Sequence, residues 1–110
     1  MVEHFGFGLS QTYGALSHPI RREMVERLRQ DDARVTELAR GFPISLAAAS
    51  RHIQVLEAAG LVRRTVKGRD HHLSLDARPL AEAAEWIDTN RTFWAQRLDA
   101  LAKVLGQGDQ

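Results

Sequence analysis

Residues 35–75 read VTELARGFPISLAAASRHIQVLEAAGLVRRTVKGRDHHLSL. One change within them constrains the fold more than anything else in the chain: the hydrophobic period switches at Gly60. Before Gly60 apolar residues recur at helical spacing. After it, β-branched and aliphatic residues flank Lys67-Gly68-Arg69-Asp70, the pattern of a β-hairpin with its tip near Gly68. Upstream, Thr36 is placed to cap a short helix carrying Leu38 and Ala39, and Gly41 to end it. Pro43-Ile44 leaves room only for a tight turn. Ser45 then caps a helix over 45–59, Gly60 stops it, and the hairpin occupies 61–75.

The flanking segments are helical. Leu9, Tyr13 and Leu16 suit a short first helix over 9–16. Ser17 or His18 can cap the next, with Pro19 in its first turn and Ile20, Met24, Val25 and Leu28 on one face. Residues 30–33 form a polar break. A last helix over 79–105 carries Leu80, Ala84, Ile87, Trp94, Leu98, Leu101 and Leu105 at alternating four- and three-residue steps, interrupted once by Arg91. Its length is about 40 Å, whereas a compact chain of this size is only about 35 Å across. The helix therefore overhangs its own domain while bearing an apolar seam, which predicts a helix-mediated homodimer. Trp86, Phe93, Trp94, Leu98 and Leu101 are the candidate interface residues on this helix, and Phe5, Phe7, Leu9 and Tyr13 suit the same surface.

The expected class is one domain over 1–110, mainly α with a small β-hairpin: about five helices plus a two-stranded hairpin. There are no cysteines in the 110 residues, which removes disulfides and thiolate metal sites. No apolar run approaches a membrane span, and the N-terminus lacks a basic-then-apolar signal pattern, so a soluble cytoplasmic protein without a membrane partner is expected. No nucleophile–base pair, phosphate loop or paired carboxylates sit on a cleft-forming element, so an enzyme is not expected. No cofactor is implied. His71 and His72 are neighbours in a strand and point to opposite faces, His52 borders a core face, and His18 suits a cap. The histidines thus assemble no metal site.

Charge is unevenly distributed. Residues 45–75 carry Arg51, Arg63, Arg64, Lys67 and Arg69 against Glu57 and Asp70, a local excess of +3, while the segments on either side are neutral or acidic. Arginine supplies 13 of the 15 basic residues, the side chain best matched to bidentate phosphate or base-edge contacts. A helical wheel of 45–59 puts Ala49, His52, Ile53 and Leu56 on one side and Ala47, Ser50, Arg51 and Gln54 on the other. A small residue, a hydroxyl, a guanidinium and a carboxamide on one open face are the groups that read base edges in a major groove.

Short helix, tight turn, second helix and basic-tipped hairpin together describe a winged helix-turn-helix, the hairpin being the wing. The expected contacts with double-stranded DNA are Ser45, Leu46, Ala47, Ser50, Arg51 and Gln54 on the second helix, and Arg63, Arg64, Lys67 and Arg69 on the wing. Two other readings compete: a winged-helix scaffold for protein–protein contact, and a regulator that senses a small organic ligand between the first and last helices.

The segments ALSHPIRREMVERL, VTELARGFPISLAAASRHIQVLEAAGLV and RRTVKGRDHHLSL resemble the ArsR/SmtB family of bacterial winged-helix repressors across about residues 10–105. SRHIQVLEAAGLV is the strongest element. The resemblance implies a homodimeric transcriptional regulator, paired through its first and last helices and binding a near-palindromic operator. The departure is equally clear. Metal-sensing members carry Cys-Val-Cys-Asp-Leu where this chain has Arg34-Val35-Thr36-Glu37-Leu38, and the last helix here has no histidine. A metal-independent regulator is the expectation.

Overall fold

The computed structural model describes the backbone of residues 7–108 and the side chains of 8–106. In chain order the elements are α1 (Phe7–Ala15), α2 (Pro19–Gln30), β1 (Ala33–Arg34), α3 (Val35–Arg40), α4 (Leu46–Ala58), β2 (Val62–Lys67), β3 (Asp70–Leu75) and α5 (Arg78–Gly108). Phe5 lies outside the described residues, as does the side chain of Phe7.

Each helix boundary has a local chemical cause. His18 caps α2 by accepting a hydrogen bond at Nδ1 from the Ile20 amide (3.1 Å), with Pro19 filling the first helical position. Ser45 caps α4, its Oγ accepting from the Ala48 amide at 3.1 Å. At the far end of α4, Gly60 adopts φ +77°. The Leu61 amide then reaches the Leu56 carbonyl (3.0 Å) and the Gly60 amide the Glu57 carbonyl (2.9 Å). This is the paired bonding of a Schellman turn, and Leu56 and Leu61 are both fully buried beneath it. At the hairpin tip Gly68 (φ +63°) and Arg69 are the two residues between the Lys67–Asp70 pair. Glycine at the first of two turn positions suits a type II′ turn.

Three local expectations change. The α3 helix begins at Val35, not after Thr36, because the Glu37 carboxylate accepts the Arg34 amide (3.2 Å) and starts the helix two residues earlier. Gly41 does end α3, but with φ −74°. Its absent side chain serves a close approach instead: a Cβ there would lie 1.6 Å from Nη1 of Arg27, whose guanidinium stacks 4.2 Å over the Phe42 ring. The sheet has three strands, not two. Ala33, the last residue of the expected polar break, and Arg34 after it pair antiparallel with Leu73 and His72, giving the order β1-β3-β2.

Met24, Val25 and Leu28 of α2, Leu38 and Ala39 of α3, Ala49, Ile53 and Leu56 of α4, and Leu61, Val62 and Leu73 at the sheet root form one core. The core thus holds α4 by one face and grips the hairpin only at its base. Helix α5 contributes little to it, with Ala83 its one buried apolar residue among those described. Its 31 residues extend about 46 Å, which makes the molecule elongated at 72 × 37 × 21 Å. No helix among the described residues is long and apolar enough to cross a membrane.

Candidate nucleic-acid interface

Burial of Ala49, Ile53 and Leu56 turns the opposite face of α4 to solvent. Leu46, Ala47, Arg51 and Gln54 are exposed there, while Ser50 is half-buried on the side facing the hairpin. Ser45 is exposed at the helix start, its hydroxyl already engaged as the cap. Across from Ser50 the sheet forms the other wall of a shallow cleft of about 240 Å³ lined also by Thr36, Arg34, Arg69 and His71. His72 lies on the opposite face of the sheet, beside Thr65 and Asp32. Arg34 and Thr36 were not among the expected contacts. Their position beside Ser50 depends on how α3 packs on α4, which no local pattern reports.

The basic residues of the middle segment divide into two groups. Arg51, Lys67 and Arg69 are exposed and have no ion-pair partner among the described residues. Arg63 and Arg64 are occupied within the protein. Arg63 pairs through Nη2 with Asp76 Oδ2 at 3.0 Å. Asp76 also accepts the Arg78 guanidinium (2.7 Å) and the Arg78 amide (3.1 Å), which starts α5. Those Arg78 hydrogen bonds, reinforced by the charges of Arg78 and Arg63, hold the Asp76 carboxyl far below the usual carboxylate range. Arg64, half-buried, donates from Nε and Nη2 to the two carboxylate oxygens of Glu57 (3.2 and 2.7 Å). Of the five basic side chains of the middle segment, three are therefore free of ion pairs among the described residues: one on α4 and two at the hairpin tip.

On the other flank of α4, His52 faces the start of α2. Its Nδ1 lies 3.1 Å from Arg21 Nη1, and a guanidinium can only donate, so the ring accepts there. The His18 ring sits 4.4 Å away, and Arg21 also ties down the Gly14 and Ala15 carbonyls at the end of α1. Burial, then the proximity of His18 and Arg21, lowers the His52 pKa below 6.5. Among the described residues no group of three His, Asp or Glu side chains is placed to hold a metal ion.

The second expected surface lies on α5. Trp86, Phe93, Trp94, Leu98 and Leu101 are all exposed, Trp94 by 59% and Leu98 by 64%, and Ile87, Val104 and Leu105 extend the seam. Tyr13 meets Trp86 edge-on at 6.4 Å and so joins α1 to this surface, with Leu9 half-buried on the same helix.

This arrangement has counterparts among known proteins. A helix-turn-helix domain family matches residues 16–65, from the end of α1 to the middle of β2. The HTH-type transcriptional regulator Rv2034 of Mycobacterium tuberculosis is 37% identical over 100 residues, covering 90% of this chain and 91% of that protein. The transcriptional repressor SdpR of Bacillus subtilis is 27% identical over 79 residues, covering 72% and 88%. The crystal structure of the ArsR family transcriptional regulator RHA00566 superposes with a TM-score of 0.76 at 30% identity, over 80% of this chain and 97% of that one. Sequence and fold agree over nearly the full length of these relatives: the chain belongs to the ArsR family of winged helix-turn-helix transcriptional regulators.

Proposed function

We propose that the protein is a homodimeric repressor that reads a near-palindromic DNA operator with α4 in the major groove and the hairpin wing on the backbone or minor groove. One observation carries the reading. The open face of α4 presents Ala47, Arg51 and Gln54, with Leu46 and Ser50 at its margins, and the unpaired cations Lys67 and Arg69 stand on the adjoining wing. An exposed guanidinium and carboxamide one turn apart can each bond a base edge bidentately, and the small Ala47 lets the helix sit deep enough to do so. Lys67 and Arg69 supply the phosphate attraction that any sequence shares. A protein-docking face would instead expose aromatic anchors on α4, and none is there. No cofactor and no reaction is needed for this role, and it is exercised in the cytoplasm.

The exposed seam of α5, with Leu9 and Tyr13 of α1, is the proposed dimer surface. A two-fold axis there sets two copies of α4 side by side on one face of a duplex. Selection of bound sequences from a random DNA pool tests the reading as a whole. The expected product is a two-fold symmetric site with half-sites separated by one helical turn or a multiple. Failure to enrich any sequence would remove the proposal. A second reading, a small organic effector bound between α1 and α5, has one observation in its favour: the Tyr13 hydroxyl is buried without a hydrogen-bond partner among the described residues.

A further inference from the structure

Arg64 belongs to the basic cluster by sequence, yet its geometry suits a different task. Glu57 closes the last turn of α4 and is the one carboxylate on that helix. Arg64 lies on β2, across the Gly60 turn. Its Nε and Nη2 engage both carboxylate oxygens, and Nη1 lies 3.1 Å from His71 Nδ1 on β3. Every nitrogen of the guanidinium is thus committed, to α4 on one side and to β3 on the other. Only 25% of the Arg64 side chain and 27% of the Glu57 side chain is exposed. The Glu57 hydrogen bond raises the Arg64 pKa further.

We propose that Arg64 is a positioning residue: the Glu57–Arg64–His71 link is a strut that fixes the angle of the wing to α4. The inference rests on the DNA-binding reading above. The core holds the hairpin at its root, through Leu61, Val62 and Leu73 with Leu75 packed against them and β1 paired to Leu73 and His72, and from Val66 to His71 no wing residue is buried. The Glu57–Arg64 pair is the ion pair that crosses from α4 to the wing among the described residues. Three residues separate Arg64 from Lys67, about 10 Å of strand. A hinge rotation of about 10° at the strut therefore moves the tip by about 2 Å, enough to break a phosphate hydrogen bond. The same pair neutralises Glu57, which would otherwise hold a bare negative charge on the helix that approaches a polyanion.

The test measures affinity for the selected operator across a salt series, for the wild type and for Glu57→Gln, Arg64→Lys, Arg64→Gln and the Glu57→Gln/Arg64→Gln pair. Thermal unfolding of each variant identifies those that fold. The strut predicts that Glu57→Gln weakens binding although it removes a negative charge. It predicts that Arg64→Gln loses about tenfold, the scale of one charge-assisted pair, with an unchanged salt slope. The double variant should be no worse than Arg64→Gln alone, and Arg64→Lys intermediate. A phosphate contact predicts the reverse: tighter binding by Glu57→Gln and a slope lower by about 0.9 in Arg64→Gln. That outcome overturns the strut and leaves DNA binding intact. If the wild type binds no selected DNA, the DNA reading fails instead. Backbone relaxation of residues 66–70 in free Glu57→Gln then tests the strut alone: increased tip motion supports it, and wild-type rigidity overturns it.

Discussion

Truncating Trp94 to alanine should dissociate the proposed dimer while sparing the fold of each protomer. Its ring touches only Phe93 among the aromatic groups, edge-on at 5.4 Å, and 59% of the residue is exposed in the single chain. A large aromatic side chain buries about 150–250 Å² when covered, so with 59% exposed about 90–150 Å² remains for a partner to cover. At about 25 cal/mol per Å² this amounts to about 2–4 kcal/mol per protomer. Two-fold symmetry counts it twice, so about 4–8 kcal/mol per dimer is an upper bound. Even half of that weakens association by about 30-fold or more. Sedimentation equilibrium over nanomolar to micromolar protein measures the constant, and far-UV circular dichroism confirms that the variant is folded. A folded Trp94→Ala protein that dimerises as tightly as wild type would refute the placement of the seam. A wild type that is monomeric at ten micromolar would refute the dimer itself.

Three further outcomes are expected. Gly60→Ala keeps the positive φ of the Schellman turn at a cost of about 1–2 kcal/mol, read as a lower urea midpoint. Space is not the cause, since a Cβ there would meet only Pro79 Cγ at 3.7 Å. His52 is held neutral in the folded protein, so the unfolded chain binds the extra proton first. Its contribution to stability is complete above pH 6.5 and is lost as pH falls from 6.5 toward the lowered folded value. Chemical denaturation at several pH values should show this loss, and His52→Gln should flatten it. Lys67→Gln should weaken all DNA sequences alike and lower the salt slope by about 0.9. A loss confined to the operator would mean that the wing tip reads bases.

What could be read from the sequence follows the range of the interactions involved. The α4 face and its two ends are local matters: a 3.6-residue period, a Ser45 cap and a Gly60 stop lie within 16 consecutive residues. The wing is legible for the same reason, since Gly68 marks its turn. The overhang of α5 is a matter of length alone. By contrast, β1 is two residues long, too short to show a period, and is defined only by the free edge of β3. Gly41 ends α3 as expected, but without the left-handed conformation of a glycine cap, and the Arg27 guanidinium from another helix lies where its side chain would be. The charge count gives a local excess but not its pairing: Glu57 engages Arg64 across the Gly60 turn, and Asp76, outside the counted segment, is shared by Arg63 and Arg78. Contacts between separate elements decide those cases, and a single segment does not encode them.

If the exposed face of α4 reads DNA sequence as proposed, Arg51 is the side chain whose loss shows it. It is exposed, unpaired among the described residues, and flanked by Ala47 and Gln54 on the same face. The decisive measurement repeats the random-pool selection with Arg51→Ala and compares its preferences and affinities with wild type. The expected outcome is lost preference at one symmetric pair of positions, other positions retained, and operator binding weaker by about 1–3 kcal/mol with little change on unrelated DNA. An unchanged preference at every position, with unchanged operator affinity, would contradict it.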